Sequence, residues 1–191
     1  MKKTALIMID MQKGFIDPAS PLCINEAAAT VPACADIIKY FHDRNLPVFF
    51  AVRHYRADGS DVEKVRADAW SNGGKPLSEN CDECMSDAFP DEFEVLERDR
   101  IFVKPRFSAF FATSLDLVLR RLGIQTVVLA GTTTPNCIRT TCYDALSLDY
   151  DVVVLSDCTS SVNEMVQRAN IEDMQRIGAN IMTAQELKSV L

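Results

Sequence analysis

Residues 127–142 read V-V-L-A-G-T-T-T-P-N-C-I-R-T-T-C. A short apolar run passes through three threonines and a proline into a segment with helical character. This is a strand–turn–helix joint, and its strand is apolar without alternation, as expected when both faces of a sheet are covered. Similar apolar runs occur at 5–9, 47–52, 101–103, 152–155 and 181–182. Helical patterns fill 25–44, 110–122, 136–148 and 164–177, and Asn45 and Gly123 stand where the first two should end. Repeated strand–helix units with right-handed crossovers give an α/β fold: a three-layer α/β/α domain, doubly wound around a six-stranded parallel sheet.

The chain has 191 residues, 48% of them hydrophobic, which suits a single domain over 1–191 with a sizeable core. A net charge of -7 argues against a nucleic-acid surface. No apolar run is long enough to cross a membrane, so no membrane partner is expected. The opening M-K-K-T-A-L-I-M-I-D reads as a first strand, because Asp10 interrupts the apolar run and no small-residue cleavage site follows. A cytoplasmic location is the expectation. The seven cysteines then read as free thiols. The C-D-E-C at 81–84 lies in an acidic stretch with no second pair or nearby histidine, and reads as a surface loop before a redox or metal motif.

Residues 54–99 break the strand–helix rhythm. A connection of that length in a compact domain is usually functional, and it follows the second strand, so it should lie at the carboxyl edge of the sheet, where ligands bind in open α/β folds.

Three polar residues should share that edge. Asp10 closes the first strand, Lys104 the third, and Cys137 follows the fourth at a helix start. Each has an ordinary reading alone: a turn cap, a solvated lysine, a core thiol. Together they form a nucleophile, an acid/base and a cation. Only the thiolate attacks, and a helix N-terminus with a nearby ammonium should lower the Cys137 pKa. Asp10 can take the thiol proton and return it to a leaving amine. The two histidines offer little alternative: His42 falls within a helical pattern and is expected on its surface, which leaves only His54.

The chain resembles the isochorismatase-like cysteine hydrolases, which include nicotinamidases, N-carbamoylsarcosine amidohydrolase and ureidoacrylate amidohydrolase. The likeness is carried by A-L-I-M-I-D-M-Q-K-G-F at 5–15, K-P-R-F-S-A-F at 104–110, L-G-I-Q-T-V-V-L-A-G-T-T-T-P-N-C-I-R-T-T at 122–141 and D-Y-D-V-V-V-L-S-D-C-T-S-S at 149–161. It implies an Asp10–Lys104–Cys137 triad and strand order 3-2-1-4-5-6. It also implies a cis peptide between Thr132 and Thr133, with the Thr133 and Cys137 N–H groups forming the oxyanion hole. That order leaves Lys104 two strand spacings, roughly 10 Å, from the strand of Asp10. The lysine stem or a bend at Pro105 must cover the gap. The family favours dimers and tetramers, so a homo-oligomer is expected.

Metal-binding nicotinamidases use Asp and several His after the second strand. Here that region offers only His54, Asp58 and Asp61, a poor set for zinc or iron, so neither metal nor cofactor is expected. Cys137 favours C–N cleavage in a small-molecule amide, ureide or carbamoyl substrate. The alternatives are vinyl-ether hydrolysis through Asp10, and a non-catalytic relative that only binds a ligand. Gln12, Phe15, Arg53, His54, Tyr55, Arg56 and Trp70 are the candidate pocket residues, with an Arg at the end of the second strand suited to a substrate carboxylate. Gln12 could instead orient the triad. Arg139 suits a salt bridge or a subunit contact, and Asp157 is expected to end the fifth strand and cap the next turn.

Overall fold

The computed structural model describes residues 3–191. Six strands, β1 (Thr4–Ile9), β2 (Val48–Val52), β3 (Arg100–Val103), β4 (Thr126–Thr132), β5 (Asp151–Ser160) and β6 (Asn180–Met182), form one parallel sheet in the order β3-β2-β1-β4-β5-β6. Both class and order are those expected. Seven helices accompany them among the described residues: α1 (Lys13–Ile16), α2 (Ala27–Asp43), α3 (Ala67–Asn72), α4 (Leu115–Leu122), α5 (Arg139–Ser147), α6 (Glu164–Arg176) and α7 (Ala184–Val190).

The continuous apolar strands follow from burial on both faces. Ala5, Ile7 and Ile9 pack with Leu115, Leu119, Cys142 and Met174 on one side. Leu6 and Met8 pack with Ile37, Phe41 and Leu187 on the other. Alternate residues of one strand thus feed two cores, and neither set can be polar. Gly131 sits where β1 and β4 press closest. Its φ is 116°, and a Cβ there would lie 2.0 Å from the Ile9 carbonyl oxygen. Asn45 and Gly123 both take left-handed conformations just past their helices, as expected of chain stops.

Three expectations are corrected and one helix is added. The pattern over 110–122 is helical only from Leu115. Before it, the Thr113 hydroxyl donates to the Ala109 carbonyl (2.6 Å) and accepts from the Leu115 N–H (3.2 Å), which folds the segment into turns. The final helix α7 was not anticipated; it is started by a capping box of Thr183 and Glu186. His42 is buried and not at the surface of α2. The chain entering β3 runs over it, its Nε2 lies 3.0 Å from Asp99, and its carbonyl accepts from Arg98 (2.9 Å). Asp157 does not end β5, which continues to Ser160 after a register shift against β4. The Asp157 carboxylate instead accepts from the Ala184 N–H at the start of α7 (2.9 Å).

The stretch 54–99 folds back on itself around a small apolar cluster of Phe15, Tyr55, Val62, Trp70 and Leu77. A bridge between Tyr55 and Ser78 closes it, with the Tyr55 N–H donating to the Leu77 carbonyl at 2.8 Å. Cys84 lies within a 3-10 turn (Glu83–Met85) and Cys81 just before it; both are free thiols, as are the other five cysteines. No helix of the described residues is long and apolar enough to cross a membrane.

Candidate active site

Asp10 follows β1 directly, with φ 52° turning the chain out of the sheet, a conformation that Asp tolerates better than most residues. Its N–H donates to the Ala51 carbonyl (2.9 Å), and the Lys104 N–H donates to the next β2 carbonyl, that of Val52 (2.9 Å). The end of β2 therefore anchors both backbones. Cys137 lies in a π-helical turn (Thr134–Ile138) that joins β4 to α5. The preceding Thr132–Thr133 peptide is cis. The threonines tie this joint to the end of β5: Thr134 Oγ donates to the Ser160 carbonyl (2.9 Å) and Ser160 Oγ to Thr132 Oγ (3.0 Å).

These elements bring the three residues together. Lys104 Nζ is 2.7 Å from Asp10 Oδ2 and 3.4 Å from Cys137 Sγ, and all three side chains are buried. The ammonium also donates to the Arg106 carbonyl at 3.3 Å. Neither Asp10 oxygen accepts a well-angled hydrogen bond, so lone pairs remain for a proton.

The expected lowering of the Cys137 pKa is reversed. Burial raises it, the Asp10 carboxylate adds to that, and Lys104 and Arg53 offset only part. A thiol withdrawn from water loses more by ionising than the two cations restore when an anion also acts on it. Burial therefore favours the neutral form of the Cys137 thiol.

In front of Cys137 lies a cavity of about 360 Å³, lined by Asp10, Phe15, Pro21, Leu22, Cys23, Ile24, Tyr55, Arg66, Ala69, Trp70, Pro76, Thr132, Thr133, Asn136 and Cys137. Of the expected pocket residues, Phe15, Tyr55 and Trp70 line it. The other four serve elsewhere. Gln12 is fully buried and clamps the chain: its Nε2 donates to the Arg53 carbonyl (2.8 Å) and its Oε1 accepts from the Arg53 N–H (2.8 Å). The Arg53 guanidinium is enclosed, 2.6 Å from Glu63 and donating to the Pro105 carbonyl. Glu63 also accepts from the Tyr55 hydroxyl (2.7 Å). Burial pushes Glu63 up, but Tyr55 and Arg53 outweigh it and hold the carboxyl below its usual range. His54 is directed to Asp87 (2.7 Å), and Arg56 is exposed beside Asp58. Arg139 makes the expected salt bridge, to Asp173 at 2.6 Å.

Arg66 and the 21–24 loop were not anticipated. Nothing in their local sequence marks them; they reach the cavity because α3 and the chain after α1 fold over it. His54, Asp58 and Asp61 do not converge, each being held by a different partner. Among the described residues no group of three or more His, Cys, Asp or Glu side chains is placed to hold a metal ion.

The isochorismatase domain model matches residues 4–186. The chain belongs to the isochorismatase family. Family relatives include a probable inactive nicotinamidase of Arabidopsis thaliana, 34% identical over 97% of this chain and 94% of that protein. Maleamate amidohydrolase of Pseudomonas putida is 30% identical over 97% of this chain and 85% of its own. An isochorismatase family protein of Desulfovibrio vulgaris has a solved structure that matches with a TM-score of 0.93 and 37% identity, covering 100% of this chain and 98% of that one. The fold is therefore that of an isochorismatase-like hydrolase, a family with amidohydrolase members.

Proposed function

We propose that this isochorismatase-family protein is a cysteine-dependent amidohydrolase that cleaves a C–N bond in a small amide, ureide or carbamoyl compound. The observation that carries this reading is the position of Lys104 Nζ, within 2.7 Å of Asp10 and 3.4 Å of Cys137. One buried ammonium contacts both a carboxylate able to move a proton and a thiol able to attack carbon. The amidohydrolase among the relatives supports the same chemistry.

The raised Cys137 pKa defines how the reaction starts. The thiol does not ionise in advance; Asp10 takes its proton as Sγ bonds to the substrate carbonyl carbon. The carbonyl π electrons move onto oxygen, and the Thr133 and Cys137 N–H groups are assigned to hold that oxyanion. Two observations support these donors: both residues line the cavity, and the neighbouring Asn136 and Ile138 N–H groups are spent on the Thr133 carbonyl. Asp10 then passes its proton to the nitrogen, the C–N bond breaks, and ammonia or an amine leaves a thioester. Water adds to the thioester as Asp10 takes its proton. The C–S bond breaks, the acid is released, and the proton returns to sulfur. Lys104 pairs with Asp10 and compensates charge on sulfur. No step requires a metal.

The test is turnover on a panel of amides, ureides and carbamoyl compounds, with mass spectrometry for an acyl adduct on Cys137. Cys137→Ala should fold and lose hydrolysis. A folded Cys137→Ala protein with full amidase activity would sink the proposal and favour water attack promoted by Asp10 alone, the route suited to a vinyl ether.

A further inference from the structure

The cavity is charged unevenly. Only Asp10 and Arg66 among its lining residues carry charge. Asp10 is neutralised at depth by Lys104. Arg66 comes from the segment after β2, at the start of α3. No carboxylate of the described residues lies within ion-pair distance of its guanidinium. The nearby acids are taken: Glu63 by Arg53 and Tyr55, Asp58 by Arg56 and Ser60, and the Asp61 carboxylate by the Arg56 N–H. Instead Arg66 is held over the Phe107 ring, 5.2 Å from its centroid, a ring that Arg53 also approaches at 5.6 Å. An aromatic face orients a guanidinium without consuming its charge-paired hydrogen bonds. The remaining wall is mostly apolar, with Phe15, Leu22, Ile24 and Trp70, and offers no competing cation.

We infer that Arg66 reads a carboxylate on the substrate, so that the enzyme takes a small anionic half-amide or ureido acid with its scissile group at Cys137 and its acid group at Arg66. This rests on the amidohydrolase reading above and adds the substrate's charge to it. The apolar wall between the two ends suits a short hydrocarbon spacer, and the fork of the guanidinium suits a bidentate carboxylate. A neutral diamide of the same length would fill the same space but leave Arg66 unpaired.

The experiment compares half-amides of graded length, from oxamate through malonamate and succinamate to glutaramate, with their neutral diamides. The kcat/KM ratio of half-amide to diamide is measured in the native enzyme, in Arg66→Gln and Arg66→Lys, and in the exposed-site control Arg56→Gln. The same pairs are titrated calorimetrically into Cys137→Ala and Cys137→Ala/Arg66→Gln. Arg66→Gln should lower the ratio by about 10- to 100-fold, mainly through KM for the half-amide, as expected for loss of a charge-assisted contact. Arg66→Lys should restore part of it, and the control should leave it unchanged. Calorimetry should show half-amide preferred in Cys137→Ala and the preference lost in the double variant. Turnover with a ratio indifferent to Arg66 would overturn the inference and leave the amidohydrolase reading intact. Selective binding without turnover would uphold Arg66 and overturn the reaction. Binding of neither compound, or equal binding of both, would overturn the inference.

Discussion

Asp10 and Lys104 directly follow strands that are not neighbours, yet their charged atoms lie 2.7 Å apart. β2 stands between them, and its last two carbonyls hold both backbones in register. The lysine stem spans the intervening strand, buried along its whole length. An arginine would carry the charge but would present a planar fork where a compact ammonium touches both carboxylate and sulfur.

Removing that ammonium strands Asp10. Lys104→Met should cost about 3–5 kcal/mol of stability, because it leaves an uncompensated buried charge. Adding Asp10→Asn should recover much of the loss, since the pair is then neutral. Urea denaturation of the two single variants and the double variant gives the coupling directly; simple additivity would contradict the ion pair's role.

The charge balance at Cys137 can be read by alkylation. Asp10 raises the thiol's pKa and Lys104 lowers it. The pH profile for iodoacetamide modification of Cys137 should therefore move to lower pH in Asp10→Asn and to higher pH in Lys104→Met. Profiles unmoved in both variants would show that burial alone governs the sulfur.

Alkaline stability follows from the buried thiols. Burial pushes Cys142 up to about 12 from an ordinary value of 9.0, and Cys137 is raised as well. Above about pH 9 the unfolded chain releases protons that the folded chain retains, so stability is fully present below that value and lost as pH rises. Each retained proton contributes about 1.4 kcal/mol per pH unit. Cys142→Ala should make the decline shallower by one such increment. Denaturation midpoints taken at successive alkaline pH values would show it, and an unchanged slope would refute the assignment.

The buried Arg53–Glu63 pair ties the segment after β2 to the sheet. Glu63→Leu should destabilise by about 3–5 kcal/mol, leaving Arg53 enclosed without its partner. Removing both charges as Arg53→Met/Glu63→Leu should cost less than Glu63→Leu alone. Limited proteolysis within 54–99 should be faster in the single variant, and equal rates would argue against the anchoring role.

The sheet was legible because its central strands are short apolar runs that feed two cores, a demand few residue types satisfy; the edge strand β3 is apolar too, although it leaves Ile101 and Val103 exposed. Asp10, Lys104 and Cys137 were legible because strand ends in a parallel sheet share an edge. The rest depended on what the intervening chain packs against. His42 looks like a surface residue until the chain before β3 is laid across α2. Arg53 looks like a ligand for carboxylate until Glu63, ten residues later, is folded onto it. Arg66 shows no local signal at all. The direction of the Cys137 shift was missed for a related reason: neighbouring cations are visible in a sequence, whereas exclusion of water is a property of the closed fold.

The cluster of Phe15, Tyr55, Val62, Trp70 and Leu77 lies apart from the two cores that hold the sheet. Asp10, Lys104 and Cys137 are fixed by strand ends, while much of the chamber before them is shaped by this outlying cluster. The floor of the chamber is thus set by the sheet, and much of its walls by a separately packed stretch of chain.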